Sequence, residues 1–144
     1  MRVRIRVILI AAVAMVLLAG CSQGTTEAAP EPPAAVAEPI AGSELLRIRL
    51  TEGAVARLAI ETVPVAQVGA ELAIPYGALL YDALGEAWAF TNPEPLVYVR
   101  EAIEVKHIAD DLVILADGPP AGTTVVTVGA AELYGVESGV GGGH

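Results

Sequence analysis

The chain has 144 residues and a formal net charge of −9, with 54% hydrophobic residues, one cysteine (Cys21) and two histidines (His107 and His144). A single cysteine excludes an internal disulfide, and one thiol with two distant imidazoles does not make a zinc ligand set, so no metal and no cofactor is expected. The acidic balance repels nucleic-acid phosphates and anionic lipid headgroups, which excludes nucleic acid as a partner and a basic patch as a means of membrane binding.

Arg2, Arg4 and Arg6 precede twelve uninterrupted apolar residues, Val7 to Leu18, and the small residues Ala19 and Gly20 then lead into Cys21. A positive start, an apolar stretch and a small-residue cleavage site are the parts of an export signal. Ending in Leu18-Ala19-Gly20-Cys21, the segment resembles a bacterial lipoprotein signal peptide. The resemblance implies that residues 1–20 are removed and that Cys21 becomes the lipidated first residue. The apolar run is shorter than the roughly 20 residues of a membrane-spanning helix. Removing it takes three of the eight basic residues and no acidic one, leaving five against seventeen and a charge of −12. Attachment to the membrane then rests on the acyl chains, each buried methylene contributing about 0.8 kcal/mol. The expected location is extracytoplasmic, on the periplasm-facing or outer surface of the cell membrane.

Residues 21–44 are rich in Ala, Pro, Glu, Thr and Gly, with Pro30, Pro32, Pro33 and Pro39 and no aromatic residue. Proline fixes φ and favours extended structure, so this segment reads as a disordered tether. Residues 45–137 read as one β-rich domain, and 138–144, ending in three glycines and His144, as a disordered tail.

Within the domain, Leu46, Ile48 and Leu50 alternate with Arg47 and Arg49, the period of a strand with one wet face. Thr51 suits a helix N-cap, with Ala54, Val55 and Leu58 on one side of a short helix through Ala59. Ile60 to Val68 reads as a strand, Val68-Gly69 as a turn and Glu71 to Ile74 as the next strand. Tyr76 to Tyr81, the turn Asp82 to Gly85 and Ala87 to Phe90 read as a hairpin. Leu96 to Val99, Ala102 to Ile108, Leu112 to Ala116 and Thr124 to Val128 complete the strands, with turns at Ala109 to Asp111 and Asp117 to Gly122. One short helix among many antiparallel strands predicts a mainly β, α+β fold, a small antiparallel β-roll or barrel.

No nucleophile, base or phosphate-loop pattern stands out, so the chain is not expected to be an enzyme. His107 shares strand parity with Ile103 and Val105 and reads as a tucked or rim histidine. Asp110, Asp111 and Asp117 fall at turns and read as solvated turn residues, while Trp88, Tyr81, Tyr98 and Phe90 read as core more readily than as a pocket lining.

Three stretches carry a second resemblance: Ile48-Arg49-Leu50-Thr51-Glu52 through Leu58 to Val65, then Ile74 to Leu80 with Ala87 to Phe90, and last Tyr98-Val99-Arg100 through Val105 to Ala121–Ala130. In this order they resemble the periplasmic adaptor subunits, or membrane fusion proteins, of resistance-nodulation-division (RND) efflux pumps. The likeness covers only the family's membrane-proximal module. Ala66 to Ala73 stand where a full adaptor inserts its lipoyl, hairpin and barrel modules, and Pro119-Pro120 and Thr123 depart from the family's closing loop. The resemblance implies a lipid-tethered, non-enzymatic accessory subunit that docks on a membrane transporter permease and takes part in efflux transport; a homo-oligomer is compatible with it. An envelope lipoprotein that binds a small molecule, or a structural interaction module, is the other expectation.

Overall fold

A computed structural model describes residues 32–139, so the expected signal peptide, Cys21, the first part of the expected tether and the expected tail from residue 140 lie outside the described residues. The described strands are β1 (Ala35–Pro39), β2 (Leu46–Leu50), β3 (Glu61–Pro64), β4 (Ala66–Val68), β5 (Glu71–Pro75), β6 (Leu80–Tyr81), β7 (Ala87–Glu94), β8 (Val97–Ala102), β9 (Glu104–Ala109), β10 (Leu112–Asp117) and β11 (Thr124–Val128). Two short helices accompany them, α1 (Glu52–Leu58) and α2 (Ala130–Glu137), and a 3-10 turn spans Tyr76–Ala78. The larger sheet runs β1-β2-β8-β7-β11-β3 with β6 on β7, and the smaller β4-β5-β10-β9; the pairings are antiparallel. The mainly β, α+β class expected from the sequence is the one observed.

Neighbouring side chains of the larger sheet supply two different cores, because successive residues of a strand point to opposite faces. Phe90 and Val126 face α1 and α2, where Ile48, Leu50, Tyr98, Ala54, Ala130 and Leu133 complete one cluster. Ala89 and Val125, one residue earlier on each strand, join Ile74, Val113 and Leu115 of the smaller sheet in the other. The domain is thus three layers deep: helices, seven-stranded sheet, four-stranded sheet.

Two corners join the sheets. The chain passes from β3 to β4 through Val65 and from β8 to β9 through Ile103, both buried in the second core. Each corner is held by backbone bonds from distant segments: Val65 N–H donates to Thr123 O at 2.8 Å, Gly122 N–H to Val65 O at 2.9 Å, and Ile103 N–H to Ala87 O at 3.0 Å. Strands that bend from one sheet into the other are how packed sheets turn corners.

Four expectations are corrected. The barrel is not closed, since β1 and β3 lie at opposite ends of the larger sheet's strand order. Among the described residues there are two short helices rather than one; Gly129, at φ 91°, turns the chain out of β11 into α2, and Ala130 and Leu133 supply the apolar contacts that hold it. The tether reading of 21–44 fails over its second half, where β1 pairs with β2 from Ala35↔Leu50 to Pro39↔Leu46. Proline is tolerated there because β1 is an edge strand, and Thr51 N–H donates to Ala34 O at 3.0 Å to extend the pairing. At the other end, the expected disordered tail 138–144 gives way at Ser138, which caps α2 with its N–H on Tyr134 O at 2.9 Å.

Candidate functional site

The densest polar constellation among the described residues is built on the β6–β7 hairpin. Asp82 opens its turn, and one carboxylate oxygen, Oδ1, accepts the backbone N–H groups of Leu84 and Glu86, both at 2.9 Å. Asp82 N–H donates to Glu86 O and Gly85 N–H to Asp82 O, each at 3.0 Å, and Gly85 supplies the positive φ of 81° that the turn needs. An aspartate binding the backbone two residues on is ordinary turn chemistry. Here it leaves Leu84 85% exposed at a tip whose backbone is pinned.

The other oxygen, Oδ2, faces inward. It accepts the indole N–H of Trp88 at 3.1 Å and lies 4.0 Å from Arg100 Nη1. Phe90 pairs with Arg100 and Trp88 with Ala102 across β7 and β8, so Arg100 is the diagonal neighbour of Trp88 on the same sheet face. Its guanidinium stands 4.1 Å from the centre of the Trp88 ring and 5.4 Å from that of Tyr134 on α2. Arg100 Nε meets Glu137 Oε2 at 3.0 Å, with both side chains largely buried. That contact lacks hydrogen-bond alignment, so it is an ion pair rather than a directed bond. Burial pushes the Asp82 carboxyl up, but the amides of Glu86 and Leu84, the Trp88 indole and the Arg100 charge together outweigh it and hold the group below the ordinary carboxylate range.

Elsewhere, a cleft of about 450 Å³ is lined by Ala70, Glu71, Leu72, Lys106, Leu115 and Ala116. Lys106 and Glu71 form an ion pair beside it. The hydrogen bond from Lys106 is the leading cause that keeps the Glu71 carboxyl below its usual range, against partial desolvation and with help from the Lys106 and His107 charges.

The residues singled out from the sequence do not converge. Cys21 and His144 lie outside the described residues. His107 is exposed on the edge strand β9, and Asp110, Asp111 and Asp117 are exposed at turns or strand ends. Phe90 and Tyr98 are core, with burial pushing the Tyr98 hydroxyl up; Trp88 is half-buried and Tyr81 is largely exposed. Sequence reasoning missed Arg100 and Glu137. The available signal was Trp88-x-Phe90 opposite Tyr98-x-Arg100 on a hairpin, which puts a cation beside an indole, but Glu137 arrives only through the unforeseen α2.

Among the described residues, no group of three or more His, Cys, Asp or Glu side chains is placed to hold a metal ion, and no helix is long and apolar enough to cross a membrane. No protein family, curated protein or solved structure matches this chain.

Proposed function

We propose that this chain is a lipid-anchored, non-enzymatic accessory subunit that docks on a membrane efflux transporter. The observation that carries the reading is Leu84, an 85% exposed leucine at a hairpin tip whose backbone is fixed by Asp82. A pinned apolar projection loses little freedom when a partner covers it, which is what makes such a tip an economical binding element. The Cys21 signal and the adaptor-like order of the three sequence stretches supply the membrane and the class of partner. Anchoring raises the local concentration of the domain beside that partner, so a modest contact suffices.

The test is crosslinking in native membranes of the producing cell. Cys21→Ser should move the chain to the soluble fraction, and Leu84→Asp should leave it in the membrane while losing its crosslink to a transporter permease. A wild-type chain that crosslinks to no permease would sink the reading. The cleft beside Lys106 and Glu71 favours a second reading, capture of a small molecule; its volume falls in the usual range for ligand sites. Ligand-induced thermal stabilisation that Lys106→Ala abolishes would support that reading instead.

A further inference from the structure

We infer that Arg100 couples the β6–β7 hairpin tip to the C-terminal helix α2, so that the order of one end is set by the other. The tip amides of Leu84 and Glu86 rest on Asp82 Oδ1, and Oδ2 of the same carboxylate holds the Trp88 indole. Arg100 covers that indole on one side and reaches Tyr134 and Glu137 of α2 on the other. Every link in this chain is polar or cation–π, and those that reach from the hairpin to α2 run through the guanidinium of Arg100. Glu137 fixes it from α2 and Asp82 from the hairpin, the latter at the longer distance of 4.0 Å. Losing the Glu137 charge therefore frees Arg100 to move, which uncovers Trp88 and loosens the carboxylate that pins the tip. Arg100 is a positioning residue in this scheme. Coupling between two sites is reciprocal, so loosening the hairpin must loosen α2 by the same factor.

The functional consequence rests on the docking reading: a partner that grips Leu84 would order α2, and a partner that displaces α2 would release the tip. The coupling itself is measured without a partner, so its failure and the failure of docking are distinguishable. The full chain, in detergent, is compared with Glu137→Gln, Asp82→Asn and the control Glu132→Gln, which alters an exposed acid on the same helix. Amide hydrogen exchange is followed residue by residue. Glu137→Gln should speed exchange at Leu84, Gly85 and Glu86 by about fivefold or more, and Asp82→Asn should do the same at Leu133 and Ser138. Val65 and Tyr76, whose amides bond to Thr123 O and Asp111 O at 2.8 Å in the other half of the domain, should not change, and Glu132→Gln should change none of these. Acceleration confined to the mutated element, or an equal acceleration that includes Val65 and Tyr76, overturns the inference. Should Glu137→Gln fail to fold, the effect of Asp82→Asn on Ser138 decides alone.

Discussion

Arg100 and Glu137 meet at 3.0 Å although 37 residues separate them, and both side chains are nearly withdrawn from water. Two charges in such a place cost desolvation, and their mutual attraction with the stacking on Trp88 has to offset it. The pair ties the last helix to the middle of the larger sheet, a job that the few apolar contacts of the eight-residue α2 share rather than perform alone.

Removing one partner should therefore cost more than removing both. Arg100→Met leaves Glu137 charged, buried and alone, and should lower unfolding free energy by about 3 kcal/mol. Arg100→Met with Glu137→Gln should recover at least about 1 kcal/mol of that, because no uncompensated charge remains. Urea denaturation monitored by Trp88, the only tryptophan, measures both. A double variant less stable than the single one would mean that Glu137 stabilises α2 by some route other than Arg100.

Asp82 sets a pH dependence of definite sign. Its folded pKa is depressed, so its contribution to stability is fully present above the unfolded value of about 3.9 and is lost as pH falls through the lower folded value. Protonation weakens acceptance from the Leu84 and Glu86 amides and from the Trp88 indole. The fluorescence of Trp88 should accordingly stay constant down to the ordinary carboxylate range and change only below it. Asp82→Asn should show an altered signal at neutral pH and no such acid step. An acid step that persists in Asp82→Asn would mean that Asp82 is not its source.

The local features of the fold were legible because their causes are local. Thr51 has the side chain of an N-cap, and its Oγ1 accepts Ala54 N–H at 3.2 Å; Arg47 and Arg49 point outward between buried Ile48 and Leu50. The breaks at Val65 and Ile103 were not legible. Ile60 to Val68 and Ala102 to Ile108 each read as one apolar-rich run, and what bends them is hydrogen bonding to Thr123, Gly122 and Ala87. The strand β1 was hidden for a related reason: its residues are mostly exposed and proline-flanked, so nothing in its own composition asks for a strand, and it exists because β2 offers an edge. The polar cluster was half legible, Asp82 as a turn residue and Trp88 as a packed aromatic, whereas the ion pair that joins them to α2 depends on a helix whose N-cap, Gly129, carries no capping side chain.

Two glycines should respond to alanine with opposite sign. A Cβ at Gly77 would lie 2.7 Å from the carbonyl oxygen of Thr127, a backbone atom that cannot step aside, so Gly77→Ala should destabilise by roughly 1–3 kcal/mol. A Cβ at Gly53 in α1 meets nothing within 4 Å, and alanine there restricts the unfolded chain, so Gly53→Ala should stabilise by about 0.5 kcal/mol. Thermal melts of the two variants side by side check the pair. Equal melting temperatures would show that the 3-10 turn Tyr76–Ala78 can shift away from β11.

Ile103 and Ile108 belong to one apolar-patterned stretch of sequence, yet the fold gives them different work. Ile103 is a corner, 8% exposed, packed into the core between the two sheets, while Ile108 on the edge strand β9 is 45% exposed. Truncating the corner leaves a void that its neighbours cannot close, since Ala89 and Val113 are fixed in paired strands and Val65, at the other corner, is held by its backbone bonds to Thr123 and Gly122. Ile103→Ala should cost about 2–5 kcal/mol, Ile103→Val about 0.5–1.5 kcal/mol, and Ile108→Ala, which gives up surface already in water, less than about 1 kcal/mol. Chemical denaturation with a common slope across the three variants measures these costs. The order Ile108 above Ile103 would mean that the outer edge of the four-stranded sheet, rather than its corner, carries the stability of that half of the domain.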